Sequence, residues 1–180
     1  MRHTLAAQAF LTVARYDNAI ATYMAVAATL PKTEFREYTA ALPLKYGVNP
    51  HQAPAAIYTI NTRALPFTVV SGMPGFTNVL DAMNAWQLVR ELEGATGLPA
   101  AASFKHVSPA GAAVATPLTP LLAQVYDVAK KDLSPQAIAY VRARNADPLS
   151  SYGDFAAVSG IVDVSLAQII RREVCGETET

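Results

Sequence analysis

Apolar residues near the start of the chain return at intervals of three and four: Phe10, Val13, Tyr16 (or Asp17), Ile20 and Met24 align along one side of a helix. From residue 56 the pattern changes. Residues 56–60 and 67–70 are dense in β-branched and aromatic side chains and bounded by Pro54, Asn61 and Gly72, which predicts two strands. The helical period resumes at Asn78, with Asp81 three residues on at capping-box spacing and Ala82, Ala85, Trp86, Val89 and Leu92 on one face, so Trp86 is expected in the core. Gly94 and Gly97 close that helix, and the short apolar run 99–104 predicts a buried strand. Residues 118–131 and 135–144 read as helices, the second with Ile138 and Val141 inward and Arg142 and Arg144 outward. A turn-rich loop over 145–154, a strand at 155–158 and a helix at 166–174 complete the chain. Strands alternating with helices predict an α/β layered sheet preceded by an N-terminal helix.

Met1-Arg2-His3 ahead of an apolar run has the outline of a signal peptide, but Arg15, Asp17 and Asn18 interrupt it, which favours the amphipathic helix and argues against a membrane span. The polar, mixed-charge stretch 30–39 reads as a linker or edge segment and as the domain boundary. Between the glycine- and proline-marked elements, Leu44-Lys45-Tyr46-Gly47-Val48-Asn49-Pro50-His51-Gln52 is a turn that presents Lys45 and Tyr46. Ser71-Gly72-Met73-Pro74-Gly75 is a second turn and matches no phosphate-binding motif.

Composition narrows the function classes. Fourteen basic and fourteen acidic residues cancel, and only 16% of the chain is charged, so no basic face invites nucleic acid. One cysteine, Cys175, makes no internal disulfide, and His3, His51 and His106 show no metal-ligand spacing, so neither a catalytic metal nor an oxidising compartment is expected. A cytosolic (cytoplasmic) protein without membrane or nucleic-acid partners is the expectation.

The candidate chemistry lies at the end of the 99–104 strand, where Lys105 and His106 stand side by side before Ser108-Pro109 and Gly111. Ligands in open α/β sheets bind beyond the carboxyl ends of strands. The stretch Pro109-Ala110-Gly111-Ala112-Ala113 is expected to open a helix whose backbone N–H groups face an anion. By chemistry alone, Lys105 also suits a solvated loop cation and His106 a hydrogen-bonded loop histidine. A Schiff-base role for Lys105 requires an apolar pocket.

Taken with the Leu44–Gln52 turn, the segments Pro74-Gly75-Phe76-Thr77-Asn78, Asp81-Ala82-Met83-Asn84-Ala85-Trp86, Lys105-His106-Val107-Ser108-Pro109-Ala110-Gly111, Arg142-Ala143-Arg144 and Ser150-Ser151-Tyr152-Gly153-Asp154-Phe155 resemble, in order, a bifunctional purine-biosynthesis family. That family unites AICAR formyltransferase and IMP cyclohydrolase. The resemblance implies that residues 1–41 are the last helix of the cyclohydrolase domain with its linker, and 42–180 the first half of the formyltransferase domain. It implies a cytidine-deaminase-like α/β/α architecture without zinc. The implied reaction moves a formyl group from 10-formyltetrahydrofolate, a co-substrate, to the 5-amino group of AICAR, an amine made weakly nucleophilic by delocalisation into its ring. His106 matches the proton acceptor, and Lys105 a cation that stabilises the tetrahedral oxyanion or assists the leaving folate nitrogen. Lys45, Tyr46 and Gly153 match nucleotide contacts, and a homodimer is implied.

Three departures accompany the resemblance. Lys45 stands where arginine is usual, which loses a bidentate fork. Gly176 stands where an aspartate ligand is expected. The bulk of the cyclohydrolase domain and the second half of the formyltransferase domain lie outside these 180 residues, so a fragment is expected. The alternative is an inactive or purely oligomerising piece of the same family.

Overall fold

The computed structural model describes residues 1–28, 30–31, 33–60, 63–129 and 131–175. The chain divides into two compact units, Met1–Pro43 with Ala56–Val70 and Leu44–Ala55 with Ser71–Thr180. In the first, α1 (Arg2–Ala27) is a single helix, and β1 (Tyr38–Leu44) pairs with β2 (Ala55–Ile60) in a two-stranded sheet. The expected helix forms, but its apolar side is not covered: no residue of α1 is buried, and Phe10 is 76% exposed. An Arg15–Glu37 ion pair joins the helix to the segment before β1, raising the guanidinium's pKa and lowering the carboxyl's, chiefly through the hydrogen bond between them.

Two expectations fail in this unit. Residues 67–70 are in no strand. Conversely, the segment read as a linker up to residue 39 already enters β1 at Tyr38. High β-propensity in 67–70 does not create a ladder partner, and a strand exists only where one does.

The second unit is a three-layer mixed α/β structure. Its middle layer is an antiparallel sheet of order β4-β3-β5, formed by β3 (Ala100–Lys105), β4 (Ser108–Val114) and β5 (Phe155–Val158). Side chains along a strand alternate faces, and both faces of β3 are covered. Ala100, Ala102 and Phe104 pack with Ala85 and Val89 of α2 (Phe76–Thr96). Ala101, on the other face, packs in a cluster with Ala137, Tyr140 and Val141 of α4 (Pro135–Arg144) and Leu166 and Ile169 of α5 (Val164–Cys175). A buried strand flanked by helices on both sides therefore reads as a mostly apolar run, here three alanines and Phe104 with Ser103 the one polar member before Lys105.

Local chemistry fixes the helix limits. Gly75 is the N-cap of α2, and the Asn78 side chain accepts its N–H at 3.0 Å, so the cap is one turn earlier than the Asn78/Asp81 spacing implied. Gly97 ends α2 at φ 70, a left-handed position that glycine occupies without strain. Ser134 caps α4 through Ala137 N–H, with Pro135 at N1. The helix expected over 118–131 shortens to α3 (Pro120–Val125), and Asp127 turns the chain at φ 54. Trp86 is 46% exposed, with the Arg90 guanidinium 5.6 Å from its ring centre, and so is not a core residue.

The stretch from Pro109 forms no helix. It is β4, an edge strand paired with β3, so the helix N-terminus expected there to face an anion is absent. Ser103 pairs with Gly111 and Phe104 with Pro109, so Ala110 is an extra residue at a bulge. Gly111 is required by close approach: a Cβ on it would lie 2.2 Å from the Ala143 carbonyl oxygen and 2.7 Å from the Ala146 Cβ. Gly111→Ala forces backbone against backbone and is expected to destabilise by about 1–3 kcal/mol. Thermal unfolding checks this, because each kcal/mol moves the midpoint by roughly 2–4 °C in a chain of this size.

Candidate active site

Lys105 ends β3 and is half-buried; its Nζ donates to the Tyr152 carbonyl at 2.6 Å and to the Gly153 carbonyl at 3.0 Å. An ammonium has three donors, so two are committed to the loop before β5 and one is left for a ligand. Gly153 sits at φ 63, which turns the loop toward the lysine. The structure thus joins two of the candidate residues directly. A polar carbonyl cradle is the opposite of the apolar pocket that a Schiff-base lysine needs.

His106 and Val107 form the two-residue connection between β3 and β4, with Lys105 opposite Ser108. Their φ values, 51 and 66, are both positive, the pattern of a type I′ hairpin turn. His106 projects from the tip of the hairpin, exposed, while Val107 N–H donates to Asp81 Oδ1 on α2 at 2.7 Å.

Lys45 and Tyr46 come to the start of the same helix. Lys45 N–H donates to the Pro74 carbonyl at 3.0 Å, and Phe76 N–H donates to the Tyr46 carbonyl at 3.2 Å. A Cβ at Gly75 would lie 3.2 Å from the Tyr46 ring, so the glycine makes room for the aromatic. The Lys45 ammonium is 5.8 Å from the ring centre, within range of cation–π attraction. Phe76 and Asp81 are five residues apart on α2, a rise of about 8 Å. One short helical segment therefore anchors both the Lys45–Tyr46 turn and the His106 turn. Gly176 lies outside the described residues, and among the described residues no group of three His, Cys, Asp or Glu side chains converges on a metal position.

The loop holding Lys105 is itself held from behind by residues that the sequence reading did not assign to the site. Arg144, expected outward, turns inward. Its Nη2 lies 3.2 Å from Asp154 Oδ1, its Nε donates to Asp154 Oδ2 at 3.2 Å, and it also bonds Glu173 and the Ser151 carbonyl. Ser103, fully buried on β3, donates to Asp154 Oδ2 at 2.6 Å, and its hydroxyl lies 2.8 Å from that of Ser151. Earlier in the loop, the Ser150 hydroxyl and backbone N–H hold the Asp147 carboxyl below the usual carboxylate range.

Tyr140 closes this network by donating to Glu173 at 3.0 Å. Burial pushes its phenol up to about 12, against a downward pull from Arg144 and a further push from Asp154. The fold therefore holds the proton more tightly than the unfolded chain does. The Tyr140 contribution is intact below its ordinary value of 10.0 and is lost as pH rises toward 12. Denaturant unfolding from pH 9 to about 12 should show stability falling in the wild type and falling less steeply in Tyr140→Phe, which has no phenol to ionise.

A family model described as AICARFT/IMPCHase bienzyme matches residues 1–177. The "Bifunctional purine biosynthesis protein PurH" of Deinococcus radiodurans is 34% identical, over 94% of this chain and 31% of that protein. The protein of the same name from Deinococcus deserti has the same identity and coverage, and the one from Nostoc sp. is 31% identical over 92% of this chain and 28% of its own length. The chain thus spans about a third of the length of the curated relatives it matches.

Proposed function

Because the chain belongs to the AICARFT/IMPCHase bienzyme family, we propose that it carries the nucleotide side of a formyl-transfer site in purine biosynthesis. In this reading 10-formyltetrahydrofolate is the donor and the 5-amino group of AICAR the acceptor. His106 takes the proton of the amine as it attacks the formyl carbon. Lys105 offers its third N–H to the oxyanion that forms there, or to the departing folate nitrogen. Lys45 and Tyr46 hold the nucleotide, and the loop at Gly153 contacts it through backbone.

The observation that carries the reading is the joint placement of Lys105 and His106. The ammonium is fixed by two carbonyls, and the imidazole next to it stands at an exposed hairpin tip. A base must be reachable by substrate and an electrostatic stabiliser must be preorganised, and these two positions meet those separate needs. Residues 1–41 are assigned to the end of the cyclohydrolase domain and 42–180 to the first half of the formyltransferase domain. Folate contacts are assigned to residues beyond this chain, and completion of the site to a homodimer in the cytosol. No described helix is long and apolar enough to cross a membrane.

The test is a formyl-transfer assay with AICAR and 10-formyltetrahydrofolate on the wild type and His106→Ala. A rate present in the first and lost in the second supports the reading; equal rates refute it, and none in either refutes it as an activity of this chain alone.

A further inference from the structure

Asp81 is 5% exposed in the second turn of α2, and its Oδ1 accepts Val107 N–H. A buried carboxylate is costly unless hydrogen-bonded, and a charge-assisted bond of 2.7 Å is among the strong ones. The recipient is unusual. Val107 is β-branched and sits at φ 66, a region such residues avoid, next to His106 at φ 51. Type I′ turns select Asn-Gly, Asp-Gly or Gly-Gly, so the pair His106-Val107 does not hold this turn by its own preference. Strained backbone persists only where its surroundings over-determine it.

We propose that Asp81 is a positioning residue: by accepting Val107 N–H it holds the strained hairpin tip so that the imidazole of His106 is aimed from the end of β3. This rests on His106 being the proton acceptor argued above. It assigns to the Asp81-Ala82-Met83-Asn84-Ala85-Trp86 segment a role other than capping α2. Asp81 touches no reacting atom and acts through the backbone of the residue after the base.

The experiment reads the Val107 amide by hydrogen exchange and by its proton chemical shift in the 180-residue chain, with no substrate present, and formyl transfer in parallel. In Asp81→Ala the amide should exchange at least about tenfold faster, as for loss of one hydrogen bond to a charged group. The maximal rate should fall with little change in the KM for AICAR. Adding Val107→Gly should restore the maximal rate, because glycine holds the turn unaided, while the amide at 107 stays fast to exchange for want of an acceptor. Asp81→Asn keeps the shape and should move the amide proton upfield as its acceptor loses charge, a readout that survives if Asp81→Ala does not fold. An amide unchanged in the Asp81 single variants, or a double variant as slow in formyl transfer as Asp81→Ala, overturns the proposal. The amide is read without substrate. Normal activity in His106→Ala therefore strikes the proposed reaction, whereas an unmoved amide strikes the role of Asp81.

Discussion

Replacing His106 by alanine is expected to slow formyl transfer by about 10²–10⁴-fold, the usual contribution of a positioned general base. The aromatic amine of AICAR is a poor nucleophile, and proton removal during attack is what makes its lone pair available. His106 is exposed and has no core contacts to lose, so the melting temperature should stay close to that of the wild type. His106→Asn is the more stringent variant, since asparagine tolerates positive φ and keeps the hairpin while removing the base. Both are checked by steady-state rates at saturating AICAR, with the loss appearing in kcat. A loss smaller than about tenfold assigns the proton to another group.

Arg144→Met should be the most destabilising of the substitutions considered, at about 3–5 kcal/mol, the cost of breaking a buried ion pair from one side. The guanidinium is 15% exposed and serves Asp154, which is 8% exposed, and Glu173, which is 18% exposed. Methionine fills the space but leaves two largely buried carboxylates without a counter-ion, each keeping only a hydroxyl donor, Ser103 for Asp154 and Tyr140 for Glu173. At roughly 2–4 °C per kcal/mol, the unfolding midpoint should drop by about 10 °C. The Ser151 carbonyl also loses its donor, so the loop that cradles Lys105 loosens before the whole unit melts. Arg144→Lys should recover only part of the loss, because a single ammonium cannot span both acids as a planar fork does. A fall of less than about 1 kcal/mol shows instead that water replaces the guanidinium at little cost.

Elements whose burial matched their periodicity were legible in the sequence. In α2 and α4 the apolar residues recur every three or four positions, and β3 and β5 are short apolar runs between turn residues. β4 was not legible, because Pro109, Gly111 and three alanines carry no strand preference. That segment is a strand because β3 lies beside it, a non-local fact. Arg144 was read as outward since arginine normally faces water; nothing local announces that Asp154 and Glu173 converge on it. The adjacency of Lys105 and His106 was visible at once. That this turn is a hairpin was not, because neither His106 nor Val107 is a usual hairpin-turn residue. Asp81 was misread because three residues from Asn78 is also capping-box spacing.

The middle of the sheet is built almost wholly from methyl groups: Ala101 lies between Ala113 and Val158, and Ala102 between Ala112 and Ala157. Side chains this small let α2 and α4 settle close to the strand backbone on either side, as the contact of Gly111 with Ala143 illustrates. Such a thin layer has almost no rotamers with which to absorb a change. A single added methyl has nowhere to go except into a displacement of one helix or the other, and both lead to Lys105 and His106, through Asp81 on one side and Arg144 on the other. The aim of the hairpin tip is therefore set by the thickness of an alanine.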